Sequence, residues 1–157
     1  MPRDHSEVVP CVDAAFQAGQ NITNHSETFL IIRSDGGGLC PFNAILTDRG
    51  SKYSVSGAPV KTKQEALLII KALKKNKKYA KASHNSWAAV LREDGPIKHD
   101  DGEAGAGMVI LRMLERAELV DHVIVVTRWF GGTPLGGDRF RRIQDCVTHY
   151  LDHRSTT

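Results

Sequence analysis

The chain has 157 residues, 41% hydrophobic and 25% charged, with 21 Lys and Arg against 18 Asp and Glu and a net charge of +3. Those values suit one globular domain around a single core, and the charge excess is too mild to mark a nucleic-acid binder without local clustering. Cys11, Cys40 and Cys146 are odd in number, widely spaced and without a C-x-x-C, which argues against a disulfide framework or zinc knuckle and for a reducing compartment. No apolar run approaches the ~18 residues that span a bilayer, and the opening MPRDHSEVVP lacks the apolar centre of a signal peptide. A cytoplasmic protein without membrane association is expected, and the Asn-x-Ser/Thr triplets at Asn21 and Asn24 are then chance matches.

In chain order, a short apolar patch at 12–16 gives at most a turn or two of helix, TFLIIRS (28–34) reads as a strand, DGGG (35–38) as a turn and FNAILT (42–47) as a second strand. After the turn DRGS, KYSVSGAPV places Tyr53, Val55 and Gly57 on one face of a strand that Pro59 ends. Thr62 and Glu65 form a capping box, so a helix starts there, with Ala66, Leu67, Ile70 and Leu73 inward and Lys63, Lys71, Lys74 and Lys75 outward. HNSWAAVL (84–91) is a strand, 92–105 a loop, 106–117 an apolar helix and HVIVVTRWF (122–130) a buried strand. The last helix runs over 136–153, with Phe140, Ile143, Val147 and Tyr150 as its packed stripe and Arg139, Arg142 and Asp145 outward. The pattern predicts an α+β two-layer sandwich, a mixed β-sheet with helices on one face.

Two stretches carry unusual chemistry. TRWFGGTPLGGDRF (127–140) lacks the Gly-Lys-Ser/Thr of a P-loop, and its glycines have the wrong spacing for a dinucleotide fingerprint, with Asp138 where a phosphate would sit. Its glycines therefore read as a backbone bend between strand and helix, and Asp138 as a favourable charge at the helix start. DDGEAGAG (100–107) gathers Asp100, Asp101 and Glu103, which can hold a hard cation or cap the next helix; capping is the expected role, and neither a metal nor another cofactor is expected. Asp101 or Glu103 is predicted to pair with Arg128, because an arginine at the end of an apolar strand needs a partner to offset desolvation. His84 lacks a nucleophile and an orienting acid beside it, and His149 and His153, four apart on a helix, lack a third ligand. Two basic groups, Lys74, Lys75, Lys77, Lys78 and Lys81 around Tyr79, and Arg139, Arg141 and Arg142, would make an RNA or acidic-partner surface if they share one face.

TDRGSKYSVSGAPV, NKKYAKASHN, DDGEAGAG and VIVVTRWFGGTPLGGDRFRRIQDC follow one another in an order that resembles the IMPACT family, which also includes bacterial YigZ-like proteins. The resemblance divides the chain into an N-terminal extension (1–46, partly strand hairpin), an IMPACT-like domain (47–154) without an RWD domain, and a tail (155–157). It implies a fold like the second domain of a small-subunit ribosomal protein, with a left-handed β-α-β crossover, a rare hand. It implies a non-enzymatic regulator of translation and stress response, acting by binding a ribosome-associated scaffold that activates the kinase of translation initiation factor two. A ribosome- or RNA-binding module is the alternative, an enzyme acting on an anionic substrate the third reading, and actin a further implied partner. The family positions carried over are Ser83, His84, Asn85, Asp100, Asp101, Gly102, Glu103, Arg128, Gly131, Gly132, Leu135 and Gly136, none with a catalytic role. The chain departs from the family pattern in having no room in residues 1–46 for the RWD domain implicated in scaffold binding, no C-terminal ferredoxin-like domain, and Ala89 and Val90 in place of the usual aromatic and basic residues.

Overall fold

The computed structural model describes residues 40–154, with side chains from residue 45 onward; the expected strand at 28–34, the turn at 35–38, the apolar patch at 12–16 and the tail at 155–157 lie outside the described residues. Among the described residues, five strands and four helices follow in the order β1 (Cys40–Asp48), β2 (Ser51–Pro59), α1 (Lys63–Leu73), α2 (Lys77–Ala80), β3 (His84–Leu91), β4 (Gly95–His99), α3 (Ala106–Arg116), β5 (His122–Trp129) and α4 (Asp138–His153). β1 and β2 form a hairpin whose two turn residues, Arg49 and Gly50, both take positive φ (48° and 88°), the backbone that matches the twist of paired strands. β1 runs across position 47 and pairs with β2 at both of its ends.

The strands form one sheet in the order β1-β2-β5-β3-β4. Every hydrogen-bonded pair in it is antiparallel, so the sheet is antiparallel and not mixed as the alternation of elements suggested. β4 is a second correction to the sequence reading, which makes 92–105 a loop throughout. Asp94-Gly95, with Gly95 at φ 78°, supplies the hairpin turn, and Pro96 is tolerated because β4 is an edge strand.

Helices cover both faces, not one. Alternation along β5 sends Ile124 and Val126 to a core shared with α3 and α4, and Val123 and Val125 to a core shared with α1 and Tyr79 of α2. A strand that is apolar on both faces needs a cover on each, which is why HVIVV reads as a continuous apolar run. On the α1 side Thr62 Oγ1 accepts the Glu65 amide at 3.1 Å, and Glu65 Oε1 reaches back to the Lys61 amide at 2.7 Å, one residue before the cap. Ala66, Ile69, Ile70 and Leu73 are buried, whereas Leu67, expected inward, is 46% exposed. On the other side a Cβ at Gly57 would lie 2.3 Å from the Tyr150 ring, so glycine is what lets α4 settle on β2.

The topology also determines handedness. β2 and β3 run the same way with β5 between them and α1–α2 connecting them; β4 and β5 run the same way with β3 between them and α3 connecting them. The second crossover steps back across the sheet on strands that point opposite to those of the first. Two right-handed crossovers with those directions would place both connections on one face. They lie on opposite faces, so one of the two is left-handed, in agreement with the expectation.

Candidate functional site

The acidic turn follows β4 directly. Asp100 caps α3: its Oδ1 accepts the Gly107 amide at 2.7 Å and its Oδ2 the Gly105 amide at 3.0 Å, replacing the cap that Gly105, with φ 90° and no side chain, cannot supply. The Gly105 amide, reinforced by that of Gly107 and opposed by partial desolvation, holds the Asp100 carboxyl below its ordinary value. The Asp100 carbonyl accepts from Ser86 Oγ at 2.8 Å. Asp101, at φ 51°, accepts the Asn85 amide on its carboxylate at 2.6 Å and presents its carbonyl to His84 Nδ1 at 3.0 Å. A carbonyl only accepts, so this contact places the imidazole proton on Nδ1. Gly102 continues the turn at φ 86° with its Cα facing the His84 ring, and Glu103 is delivered inward, 5% exposed.

At the end of β5 stands Arg128, also 5% exposed. Its Nη1 donates to Glu103 Oε2 at 2.5 Å, which is the ion pair predicted from the sequence, with Glu103 and not Asp101 as the partner. Nε and Nη2 lie 3.4 and 3.3 Å from Ser51 Oγ, and Ser51 Oγ also accepts the Gly131 amide at 3.2 Å. The bend after Trp129 is fastened by Ser83, whose Oγ accepts the Phe130 amide at 2.9 Å and whose amide donates to the Arg128 carbonyl at 2.9 Å. A Cβ at Gly131 would lie 2.0 Å from the Gly50 carbonyl carbon, so no other residue fits against the hairpin turn there. Gly132 (φ 97°) and Gly136 (φ 59°) carry the chain round to α4. There Arg139 brings its Nε to 3.9 Å from the same Glu103 Oε2 and lays its guanidinium 4.6 Å from the Phe140 ring.

Turn and bend meet in an open cleft of about 350 Å³ lined by His84, Gly102, Glu103, Ala104, Arg128, Phe130, Pro134, Leu135, Gly136 and Arg139. Six of the family positions face it: His84, Gly102, Glu103, Arg128, Leu135 and Gly136. Ser83, Asp100, Asp101 and Gly131 hold its two walls in place, and Gly132 turns the bend. Asn85 is internal: 3% exposed, it donates to the Tyr79 carbonyl and accepts from Thr127 Oγ1 at 2.7 Å. Sequence reasoning missed Ala104, Phe130, Pro134 and Ser51. Phe130 had a signal, a large apolar residue one step past the end of a buried strand; Ser51 had none, because only the hairpin brings it under Arg128. Both guanidinium groups approach the same Glu103 oxygen, Oε2, Arg128 in a hydrogen-bonded ion pair at 2.5 Å and Arg139 at 3.9 Å. Among the described residues, no three His, Cys, Asp or Glu side chains gather so as to hold a metal.

The basic groups fall apart in space. Lys74, Lys75, Lys77 and Lys81 are exposed, Lys78 lies 5.6 Å from the centre of the Trp129 ring, and Tyr79 is wholly buried. They ride on or beside α1 and α2, on one face of the sheet, whereas the arginines ride on α4, on the other. Arg139 lines the cleft, Arg141 is exposed, and Arg142, expected outward, is largely covered as it reaches to Asp145 at 3.3 Å and Asp48 at 3.9 Å. His149 and His153 stack with ring centres 4.2 Å apart, and His153 Nδ1 faces the His149 carbonyl at 2.8 Å.

A family model described as the Impact N-terminal domain matches residues 49–151. Protein IMPACT of Bos taurus is 36% identical over 117 residues, covering 71% of this chain and 37% of that protein. Protein IMPACT of Homo sapiens is 35% identical over 117 residues, with the same shares, and the IMPACT homolog of Caenorhabditis elegans 36% identical over 114 residues, 68% of this chain and 44% of that protein. The chain thus spans less than half the length of these relatives. A crystal structure of a hypothetical protein, 22% identical, superposes with a TM-score of 0.67 over 74% of this chain and 59% of that one, which supports the fold. The family profile covers well over half of the sequence and every residue that lines the cleft, and the chain belongs to the IMPACT family.

Proposed function

We propose that the chain regulates translation without catalysing a reaction, by docking a ribosome-associated scaffold that activates the kinase of translation initiation factor two. The docking face is the cleft between the acidic turn and the arginine bend. One observation carries this reading: six family positions, from three distant stretches of sequence, converge on an open surface whose buried carboxylate is already held by two arginines. A carboxylate held in this way braces the acidic turn against the arginine bend. Phe130, 50% exposed beside that surface, is the kind of aromatic that anchors a protein interface. Family membership supports the translational setting, which is cytoplasmic and linked to stress; an actin contact belongs to the same proposal.

The second reading, a ribosome- or RNA-binding module, is favoured by the exposed Lys74, Lys75, Lys77 and Lys81. It expects binding that weakens steeply with salt as counterions are released. Affinity capture from a native lysate, with and without nuclease, separates the two. Nuclease-resistant recovery of the scaffold, lost in a Glu103→Leu/Arg128→Met double variant, supports docking. Recovery of metabolic enzymes with no translation component overturns it.

A further inference from the structure

The cleft walls carry charge unequally. Each nitrogen of the Arg128 guanidinium has a partner, Nη1 on Glu103 and Nε and Nη2 on Ser51. Asp101 is occupied by the Asn85 amide, and Asp138 at the start of α4 by Arg49 at 2.6 Å. Arg139 is the exception. Its guanidinium makes no hydrogen bond among the described residues, its Nε is buried without a hydrogen-bond partner, and its one ion pair is the 3.9 Å approach to a carboxylate Arg128 already holds. Two arginines against one glutamate leave one unneutralised positive charge in a low-dielectric recess, and one third of the Arg139 side chain remains open to solvent. Beside it the Phe130 ring, half exposed, lies 5.7 Å from the Arg128 guanidinium, which holds it as a fixed apolar wall.

We propose that the cleft recognises a short partner segment in which a carboxylate neighbours an aromatic or long aliphatic side chain, the carboxylate meeting Arg139 and the apolar group lying against Phe130. The inference rests on the docking reading and names its chemistry. A volume of about 350 Å³ is at the small end of ligand sites and suits one or two side chains, not a folded surface. A planar guanidinium with open donors matches a carboxylate in two parallel hydrogen bonds. Nucleic acid fits less well, because a phosphate backbone needs a row of cations, and the exposed lysines sit on α1–α2 across the sheet from α4.

The test is to pan a displayed random heptapeptide library against the full chain and measure the affinity of the enriched consensus peptide by fluorescence anisotropy. Enrichment of Asp or Glu beside Phe, Trp or Leu is expected. Arg139→Met, which keeps the packing on Phe140, is expected to weaken that peptide about tenfold, Phe130→Ala about tenfold, and Lys77→Ala not at all. Arg139→Lys should restore part of the loss, and unchanged melting temperatures show that the variants are folded. Peptides without a carboxylate, an Arg139→Met variant that binds like the parent, or displacement of the peptide by a polyuridine oligonucleotide at physiological salt would each overturn the inference. If carboxylate-free peptides win while scaffold capture still depends on Glu103 and Arg128, the chemistry named here is wrong and the docking reading stands. Loss of both removes the docking reading as well.

Discussion

Strand β5 buries a polar pair at each end, and the two ends are built for different ends. At its start His122, 8% exposed, meets the Tyr150 hydroxyl through Nε2 at 2.7 Å, under a roof completed by the Val60 amide on the Asp121 carbonyl. Burial pushes the Tyr150 phenol far above its ordinary value, so the phenol keeps its proton in this contact with His122. At the other end Arg128 and Glu103 are just as buried, but they are ionic, they draw in Ser51 and Arg139, and they open onto a cleft. A neutral pair would close a sheet end at lower desolvation cost. The ion pair at the C-terminal end suits the proposed docking surface, while at the N-terminal end the same strand buries a histidine and a phenol.

The contrast breaks most sharply if charge is removed from one side of the ion pair. Glu103→Ala leaves a buried, uncompensated Arg128 and is expected to cost about 3–5 kcal/mol in urea denaturation, whereas the Glu103→Leu/Arg128→Met double variant should stay close to the parent in stability and still fail to dock. Gly131→Ala and Gly57→Ala both drive a methyl into fixed neighbours, Gly50 in the first case and Tyr150 in the second, and each should cost roughly 1–3 kcal/mol. Only Gly131→Ala, at the cleft end, should also weaken docking in a binding titration. Tyr150→Phe should cost about 1 kcal/mol by loss of the His122 contact, with docking untouched.

The smallest expected effect is at Asp100. Its carboxyl is held below its ordinary value, so its contribution is complete above about pH 4 and fades as pH falls through the depressed value. Asp100→Asn should lower stability at neutral pH by a few tenths of a kcal/mol to about 1 kcal/mol and flatten the acid limb of the stability profile. An acid limb unchanged from the parent would contradict the capping role.

Local signals in the sequence were reliable where the physics is local. The Thr62/Glu65 box, the HNSWAAVL and HVIVVTRW strands and the stripe of α4 are set by residues within a turn or two of one another, and each stands where expected. The Glu103–Arg128 pair was legible for a different reason: a lone arginine on an apolar strand demands a partner, and few carboxylates were on offer. What stayed hidden is set between elements. Strand direction depends on which strands become neighbours, so the antiparallel sheet could not be read from alternating helices and strands. Covering on both faces was implicit in the unbroken apolar run of β5, but Leu67 beside Ile70 blurred which side of α1 points inward. β4 hid behind Pro96 and its charged neighbours, which read as loop until an edge position excuses them. Within the cleft, Arg139 read as one of three solvent-facing basic residues, and only the fold shows that it turns toward Glu103.

The most direct test is amide chemical-shift mapping of the full chain with the scaffold fragment it captures. The account expects shifts centred on Gly102, Ala104, Phe130, Gly136 and Arg139, a quiet α1–α2 face, and their loss in the Glu103→Leu/Arg128→Met variant at unchanged melting temperature. Shifts centred on Lys74 to Lys81, or a double variant that binds like the parent, would contradict it.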